Sequence, residues 1–171
     1  MENLGQVISE HPFCKGLETD YVDLLTSCAS NVLFDKGYHL FREGGQANQF
    51  YLIREGKVSL EVLASQHPLP VETVEAGEVL GWCWLVPSYR WRFGARAVEP
   101  VHAIAVNGKC LRAKCEKNSQ LGYELLKRSV EIVGHRLEAA RFRLLDLYSA
   151  EVQREQSPGN FSPDSPLYKT W

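Results

Sequence analysis

Between Asn31 and Val106 the sequence alternates short apolar runs with glycine-containing turns, and this pattern limits the possible folds more than any other feature. The runs are rich in β-branched and aromatic residues, which favour β-strands. Because short strands recur at a regular spacing, the pattern predicts a small barrel or roll rather than a parallel sheet. The predicted strands are Asn31–Phe34, Tyr38–Phe41, Gln49–Ile53, Lys57–Leu63, Val71–Val74, Phe93–Val98 and Val101–Val106.

Helical patterns stand on both sides of this region. Residues 1–30 predict short helices, and Lys109–Asn118 predicts one more. Ser119 is a suitable cap for a much longer helix that runs to about Ser149. Residues 150–171 are rich in serine, proline and glutamine, a composition typical of a flexible tail. The organisation we predict is therefore one domain over residues 1–149, followed by that tail.

The long predicted helix carries an apolar stripe in which residues recur at alternating spacings of three and four. This heptad pattern is typical of helices that pair along one face. At 1.5 Å per residue the helix would be about 45 Å long, which exceeds the width of a domain of this size. We therefore predict a homodimer through this helix, with packing of the stripe on its own barrel as the alternative. The stripe consists of Tyr123, Leu126, Val130, Val133, Leu137, Ala140, Leu144 and Leu147.

Composition excludes several classes of protein. The net charge of −2 argues against a generally basic, polyanion-binding protein. The sequence has no apolar stretch of about 18 residues that could cross a membrane. Its first residues lack the basic and apolar segments of a secretory signal, so we expect a cytoplasmic protein.

The reactive residues form no recognisable catalytic or metal-binding pattern. The cysteines are odd in number and scattered, which predicts buried or half-buried thiols in a reducing cytosol, with a redox or metal role as the alternative. The histidines include no His-x-His pair, and no nucleophile motif is present. We therefore predict no catalytic residue, no metal site and no enzyme activity. The cysteines are Cys14, Cys28, Cys83, Cys110 and Cys115.

Two blocks of sequence carry a resemblance to a known family. In the first block, over residues 37–60, glycines supply tight turns between apolar runs, and Glu43, Tyr51 and Val58 stand at fixed distances from them. The second block, Val71–Trp82, contains a strand, a turn and the entry to a loop. Together they resemble the cyclic-nucleotide-binding domain family, which includes the sensor domains of catabolite-activator-type bacterial regulators.

The resemblance covers roughly residues 11–148 and implies a fold. That fold is of the α+β class but mainly β. It is an eight-stranded antiparallel β-roll of the double-stranded jelly-roll type, with N-terminal helices and a long C-terminal helix.

The resemblance also implies a phosphate-binding cassette, which here spans residues 81–97. In the family a Gly-Glu pair opens the cassette and the glutamate binds the ribose hydroxyl, while an arginine near its end neutralises the phosphate. In this sequence Gly81 is kept, Trp82 replaces the glutamate and Trp91 replaces the arginine. A small residue near the phosphate is replaced by Trp84.

Two arginines, Arg90 and Arg92, flank Trp91 and could present a charge to an anion. Because successive residues of a strand point to opposite faces, either Trp91 faces the pocket and both arginines face outward, or the reverse holds. The residues predicted to contact a ligand are Gly81, Trp82, Cys83, Trp84, Arg90, Trp91 and Arg92.

Two functions follow from this resemblance. The first is a regulatory sensor domain that binds a small ligand (cyclic AMP, cyclic GMP or another molecule) or signals through protein contacts. The second is a non-binding adaptor whose pocket is filled by aromatic side chains and which contacts an unknown protein partner. Catabolite-activator-type regulators carry a helix-turn-helix domain after the long helix, and the 150–171 segment does not resemble one, so we expect no direct DNA binding.

Overall fold

The protein is described from a computed structural model that covers residues 3–64 and 67–156, with side-chain environments for residues 3–63 and 67–151. The chain divides into two units, residues 1–130 and residues 131–171. The strands lie in the first unit. The second unit contains the C-terminal part of the last helix.

The elements follow the predicted order, with two differences. Val79–Leu80 forms a strand that is absent from the seven predicted ones, and the strand predicted over Val71–Val74 begins at His67. The helices are α1 (Leu4–Glu10), α2 (Thr19–Thr26), α3 (Gly108–Lys117) and α4 (Ser119–Gln156), and a 3₁₀ turn spans Trp82–Trp84. The strands are β1 (Ala29–Phe34), β2 (His39–Phe41), β3 (Gln49–Glu55), β4 (Val58–Ala64), β5 (His67–Val74), β6 (Val79–Leu80), β7 (Gly94–Ala97) and β8 (Val101–Asn107). Among the helices of the described ranges, none has the length and apolar character that a membrane crossing requires.

The eight strands form two four-stranded antiparallel sheets, with the orders β1-β8-β3-β6 and β2-β7-β4-β5. The predicted α+β, mainly β roll is therefore confirmed. Side chains from the facing sides of the two sheets fill the interior of the roll. This interior cluster consists of Phe41, Ala47, Tyr51, Ile53, Val58, Leu60, Val74, Leu80, Cys83, Trp91, Ala95, Ala97, Val101, Ala103 and Ala105.

A second apolar layer lies on the other face of the first sheet. Along β3, Phe50 and Leu52 alternate with Tyr51 and Ile53, so the first two face away from the roll interior. The ring of Phe50 contacts the ring of Phe13, at 6.0 Å between centroids, at the N-terminal end of the chain. The middle of β3 is therefore buried on both faces of the first sheet.

The caps of the last two helices come from asparagines. Asn107 caps α3, because its Oδ1 accepts a hydrogen bond from the backbone N–H of Cys110 at 2.9 Å. Asn118 caps α4 in the same way, accepting from the N–H of Leu121 at 3.1 Å. The prediction of Ser119 as the cap was therefore wrong, because α3 ends one residue earlier and leaves the asparagine side chain free to turn onto the new helix.

Helix α4 continues past the predicted end at Ser149 to Gln156. The predicted flexible tail therefore begins within this helix, and its remaining part, residues 157–171, lies outside the described residues.

The prediction of five thiols was wrong, because Cys28 and Cys110 form a disulfide across 82 residues of sequence. The sheet explains the pairing. Strands β1 and β8 are antiparallel partners with Ala29 opposite Val106. The start of β1 therefore lies beside the end of β8, which brings the end of α2 to the start of α3. Cys14, Cys83 and Cys115 take part in no disulfide.

Candidate functional site

The cassette begins at the open end of β6 with a glycine in a left-handed conformation. Gly81 has φ of 100° and precedes the 3₁₀ turn Trp82–Trp84. A Cβ atom at Gly81 would lie 2.8 Å from Cζ3 of the Trp91 ring. Both the backbone angle and this close contact require glycine here. The turn that follows places Cys83 in the roll interior, with Trp82 partly buried against the same cluster.

Trp91 occupies the interior of the roll beside Gly81. Its side chain is 5% exposed, and its ring stacks on Phe41 with centroids 3.7 Å apart and planes 9° apart. Two backbone hydrogen bonds fix it to the β2–β3 turn: its N–H donates to Gly45 at 2.9 Å, and its carbonyl accepts from Gly44 at 2.8 Å. The sequence position that the family resemblance assigns to a phosphate-binding arginine therefore carries a buried indole ring.

Both neighbouring arginines point outward, which is the first of the two predicted arrangements. Arg90 is exposed, and its Nη1 donates to the carbonyl of Gly44 at 2.7 Å. Arg92 is exposed as well. The two charges expected near an anionic ligand therefore lie on the outer face, opposite to the indole of Trp91.

Trp84 lies in a different apolar layer from Trp91. It is 2% exposed and its ring stacks on Phe50 at 5.2 Å, on the face of the first sheet that is turned away from the roll interior. The structure therefore brings Gly81, Trp82, Cys83 and Trp91 together and separates them from Trp84, Arg90 and Arg92.

Helix α3 supplies a residue that sequence reasoning missed. Nη1 of Arg112 donates to the carbonyl of Trp84 at 2.6 Å, and its guanidinium lies 4.1 Å from the centroid of the Tyr89 ring. Ser88 and Tyr89 both have positive φ, 84° and 43°, which is a strained conformation for residues with side chains. Arg112 therefore stabilises a strained loop. No local sequence signal indicates this, since the contacts join residues far apart in the chain.

A cleft of about 380 Å³ borders the outer edge of Trp91. Phe41 and Tyr51 form its apolar part, and the hydroxyl of Tyr51 donates to Gln49 at 2.9 Å. Burial raises the pKa of Tyr51 to about 12, so the hydroxyl stays neutral. The other lining residues are Leu40, Arg42, Gly45, Gln46, Asn48 and Asn107.

A carboxylate and a guanidinium do meet on the roll, but they are paired with each other. Nε and Nη2 of Arg96 lie 2.8 and 2.6 Å from the same oxygen of Glu61. Arg96 alternates with Ala95 and Ala97, whose side chains lie in the interior, so the pair is on the outer face of the second sheet. Within the described ranges no group of three or more His, Cys, Asp or Glu residues could hold a metal ion.

Comparison with known proteins identifies the class. The sequence model of the cyclic nucleotide-binding domain matches residues 31–118, which is more than half of the chain. The strands, the cassette and α3 all lie in or next to this range. The chain belongs to the cyclic nucleotide-binding domain family.

Individual relatives include bacterial regulators. The anaerobic regulatory protein of Bacillus subtilis strain 168 is 26% identical over 113 residues, which are 65% of this chain and 48% of that protein. This chain therefore spans about half the length of that curated relative.

Solved structures extend the comparison. A protein from Geobacter metallireducens GS-15 has a TM-score of 0.72 with 26% identity, over 80% of this chain and 99% of its own. The catabolite activator protein of Thermus thermophilus has a TM-score of 0.62 with 25% identity, over 81% of this chain and 63% of its own.

Proposed function

We propose that this protein is a regulatory domain that does not bind cyclic nucleotides and instead acts through protein contacts, with Trp91 as a permanent occupant of the ligand position. The observation that carries this proposal is the stack of Trp91 on Phe41 inside the roll, with Arg90 and Arg92 turned away. A cyclic phosphate at this position would meet an indole ring instead of a guanidinium. A charge-assisted contact of the missing kind contributes about 1.5–3 kcal/mol, or roughly ten- to a hundredfold in affinity.

Isothermal titration tests this directly. We expect no saturable heat when cyclic AMP or cyclic GMP is added up to millimolar concentration, because neither the carboxylate nor the guanidinium of the cassette is present. Circular dichroism of the same sample controls for folded protein. Saturable binding with a Kd below about 100 μM would contradict the proposal, since that affinity requires about 5.5 kcal/mol of net interaction.

A small-molecule sensor remains the second candidate, and the cleft beside Trp91 favours it. The cleft of about 380 Å³ has an aromatic wall and several carboxamide side chains. A planar ligand could stack there without an anionic group. Screening planar heterocycles by the quenching of tryptophan fluorescence separates the two candidates, because a hit that depends on Tyr51 or Gln46 supports the sensor.

We further propose that the protein contacts a second copy of itself through α4. The predicted apolar stripe is solvent-exposed within this chain: Leu126 is 51% exposed, Val130 61% and Leu137 71%. An exposed apolar stripe at heptad spacing is self-complementary and costs free energy when left in water. The other proposed contact residues are Val133, Ala140 and Leu144.

The oligomeric state tests the proposed dimer. We expect Val133→Asp combined with Leu137→Asp to give monomers in light scattering, whereas the unaltered chain gives dimers. Each buried apolar side chain of this size contributes about 1.5–3 kcal/mol, so removing two per protomer should weaken the dimer at least a thousandfold.

Phe142 provides a matched control for this experiment. It is 67% exposed on the same helix, and in the heptad register it lies on the side opposite to the stripe. Phe142→Asp should leave the dimer intact. Equal masses for all three proteins, or dissociation by the Phe142 variant alone, would contradict a dimer through the stripe.

A further inference from the structure

The Cys28–Cys110 disulfide joins a buried cysteine to one that lines a groove. Cys28 is 9% exposed, whereas Cys110 is half-buried and lines a groove of about 460 Å³. A disulfide opens when a thiolate attacks one of its sulfurs, and access is one factor that decides which sulfur is attacked. The groove therefore directs an incoming thiol to Sγ of Cys110.

Two lysines set the charge of this groove. Lys114 and Lys117 line it together with Leu24, Ala113 and Asn118. Nζ of Lys114 donates to the hydroxyl of Ser27 at 2.6 Å, which keeps its ammonium group beside the residue that precedes Cys28. Positive charge near a disulfide attracts thiolates and stabilises the thiolate that leaves. The groove thus favours a small thiol that carries a negative charge.

The same helix connects the disulfide to the cassette. Arg112, two residues after Cys110 on α3, holds the carbonyl of Trp84 and the ring of Tyr89. With the disulfide closed, α3 is covalently fixed to the end of α2. When the disulfide opens, the end of α2 and the start of α3 are held together by non-covalent contacts alone, including the hydrogen bond from Asn107 N–H to the carbonyl of Cys28 at 2.8 Å. The strained loop at Ser88 and Tyr89 then loses part of its support.

We propose that Cys28–Cys110 is a thiol–disulfide exchange site for anionic small thiols, attacked at Cys110, and that its opening loosens the cassette through Arg112. In the first step the thiolate bonds to Sγ of Cys110, the Cys28–Cys110 bond breaks, and Sγ of Cys28 leaves with the electron pair and takes up a proton. A second thiol then attacks the sulfur of the first, which releases Cys110 as a thiol. In sum, two thiols are oxidised to one small disulfide and the protein disulfide is reduced to two cysteines.

The other three cysteines are poor competitors for this chemistry. Burial raises the pKa of Cys14 to about 12 and also raises the pKa of Cys115, while Cys83 is buried in the roll interior. Because the thiolate is the reactive form, these groups exchange slowly. In a reducing compartment such as the predicted cytoplasm, a disulfide of this kind is typically transient or redox-sensing.

A charge series of small thiols tests the site. Mercaptoethanesulfonate is anionic, 2-mercaptoethanol neutral and cysteamine cationic, and rates of disulfide loss are compared after correction for the thiolate fraction of each reagent. We expect the anionic thiol to react about threefold to tenfold faster than the neutral one at low salt, and the cationic thiol to be slowest, because two lysines lie in the groove.

Two lysine variants test whether the groove causes the difference in rate between the thiols. Lys117→Gln should shrink the spread between the three thiols, whereas Lys36→Gln, a change in an exposed turn between β1 and β2, should leave it unchanged. Peptide mass spectrometry of the trapped intermediate should place the small thiol on Cys110. Three results would each contradict the proposed exchange site. These are equal rates for the three thiols, an unchanged difference between those rates in Lys117→Gln, and a mixed disulfide on Cys28.

Hydrogen exchange tests the connection to the cassette. In the reduced protein we expect the N–H groups of Tyr89 and Trp91 to exchange at least tenfold faster than in the oxidised protein. The N–H groups of β3 and β8 should change much less. Cys28→Ser combined with Cys110→Ser should behave like the reduced protein without any reagent. If exchange rates rose equally in the cassette and in the strands, the disulfide would act only as a general cross-link. That result would contradict the proposed coupling to the cassette.

Discussion

Trp91→Ala should lower the free energy of unfolding by about 3–5 kcal/mol, the range found for truncation of large buried aromatic residues. The reason is the position of the ring, which is 5% exposed, stacked on Phe41 and in contact with Gly81. Its removal leaves a void between the two sheets that the strands cannot close without breaking their hydrogen bonds. Urea denaturation followed by circular dichroism measures the loss.

Rescue by a small molecule shows whether this void has the shape of the lost ring. Indole at millimolar concentration should raise the Tm of Trp91→Ala, because a ligand that binds the folded state alone stabilises it by mass action. The unaltered protein should show no such increase. A loss below about 1 kcal/mol, which is a surface-like effect, would mean that Trp91 is not an interior residue.

Gly56→Ala should be at least twice as destabilising as Gly37→Ala. Both glycines have positive φ, 88° and 87°, which costs a residue with a side chain about 1–2 kcal/mol. They differ in their surroundings. A Cβ at Gly56 would collide with the carbonyl oxygen of Pro100, whereas nothing lies within 4 Å of a Cβ at Gly37.

The pair of variants therefore separates backbone strain from steric clash. Gly37→Ala reports the strain alone, and the additional loss in Gly56→Ala reports the displacement of the loop between β7 and β8. Urea midpoints with equal m-values give both numbers. Equal losses in the two variants would show that the turn after β3 does not depend on its approach to Pro100.

The contacts of Trp91 explain why the cassette keeps its first glycine without the charged residues of the family. Gly81 touches the indole ring closely enough that a Cβ would lie 2.8 Å from it. Retention of this glycine is therefore no evidence of a nucleotide site by itself. The residue serves the packing of Trp91 as well as the tight turn after β6.

The sequence did not indicate that the predicted cassette residues separate into two apolar layers. Trp84 and Trp91 are the same residue type and lie close together in the chain, so the sequence gives no reason to place them in different layers. The 3₁₀ turn at Trp82–Trp84 directs Trp84 towards Phe50 and leaves Trp91 to face Phe41. A local pattern cannot show this, because the two partner rings come from different strands.

By itself, the sequence determined every described strand except the short β6, together with the glycine turns and the long helix, since the period of apolar residues and the turn preferences of glycine act between neighbours in the chain. The tertiary structure decided which way Trp91 and its flanking arginines point, and which cysteines pair. It also placed Arg112 beneath the cassette loop. These features depend on segments that meet only after the sheets form: β1 beside β8 brings Cys28 to Cys110 across 82 residues. Contacts between residues so far apart in the chain depend on the complete fold, so no local pattern of residues predicts them.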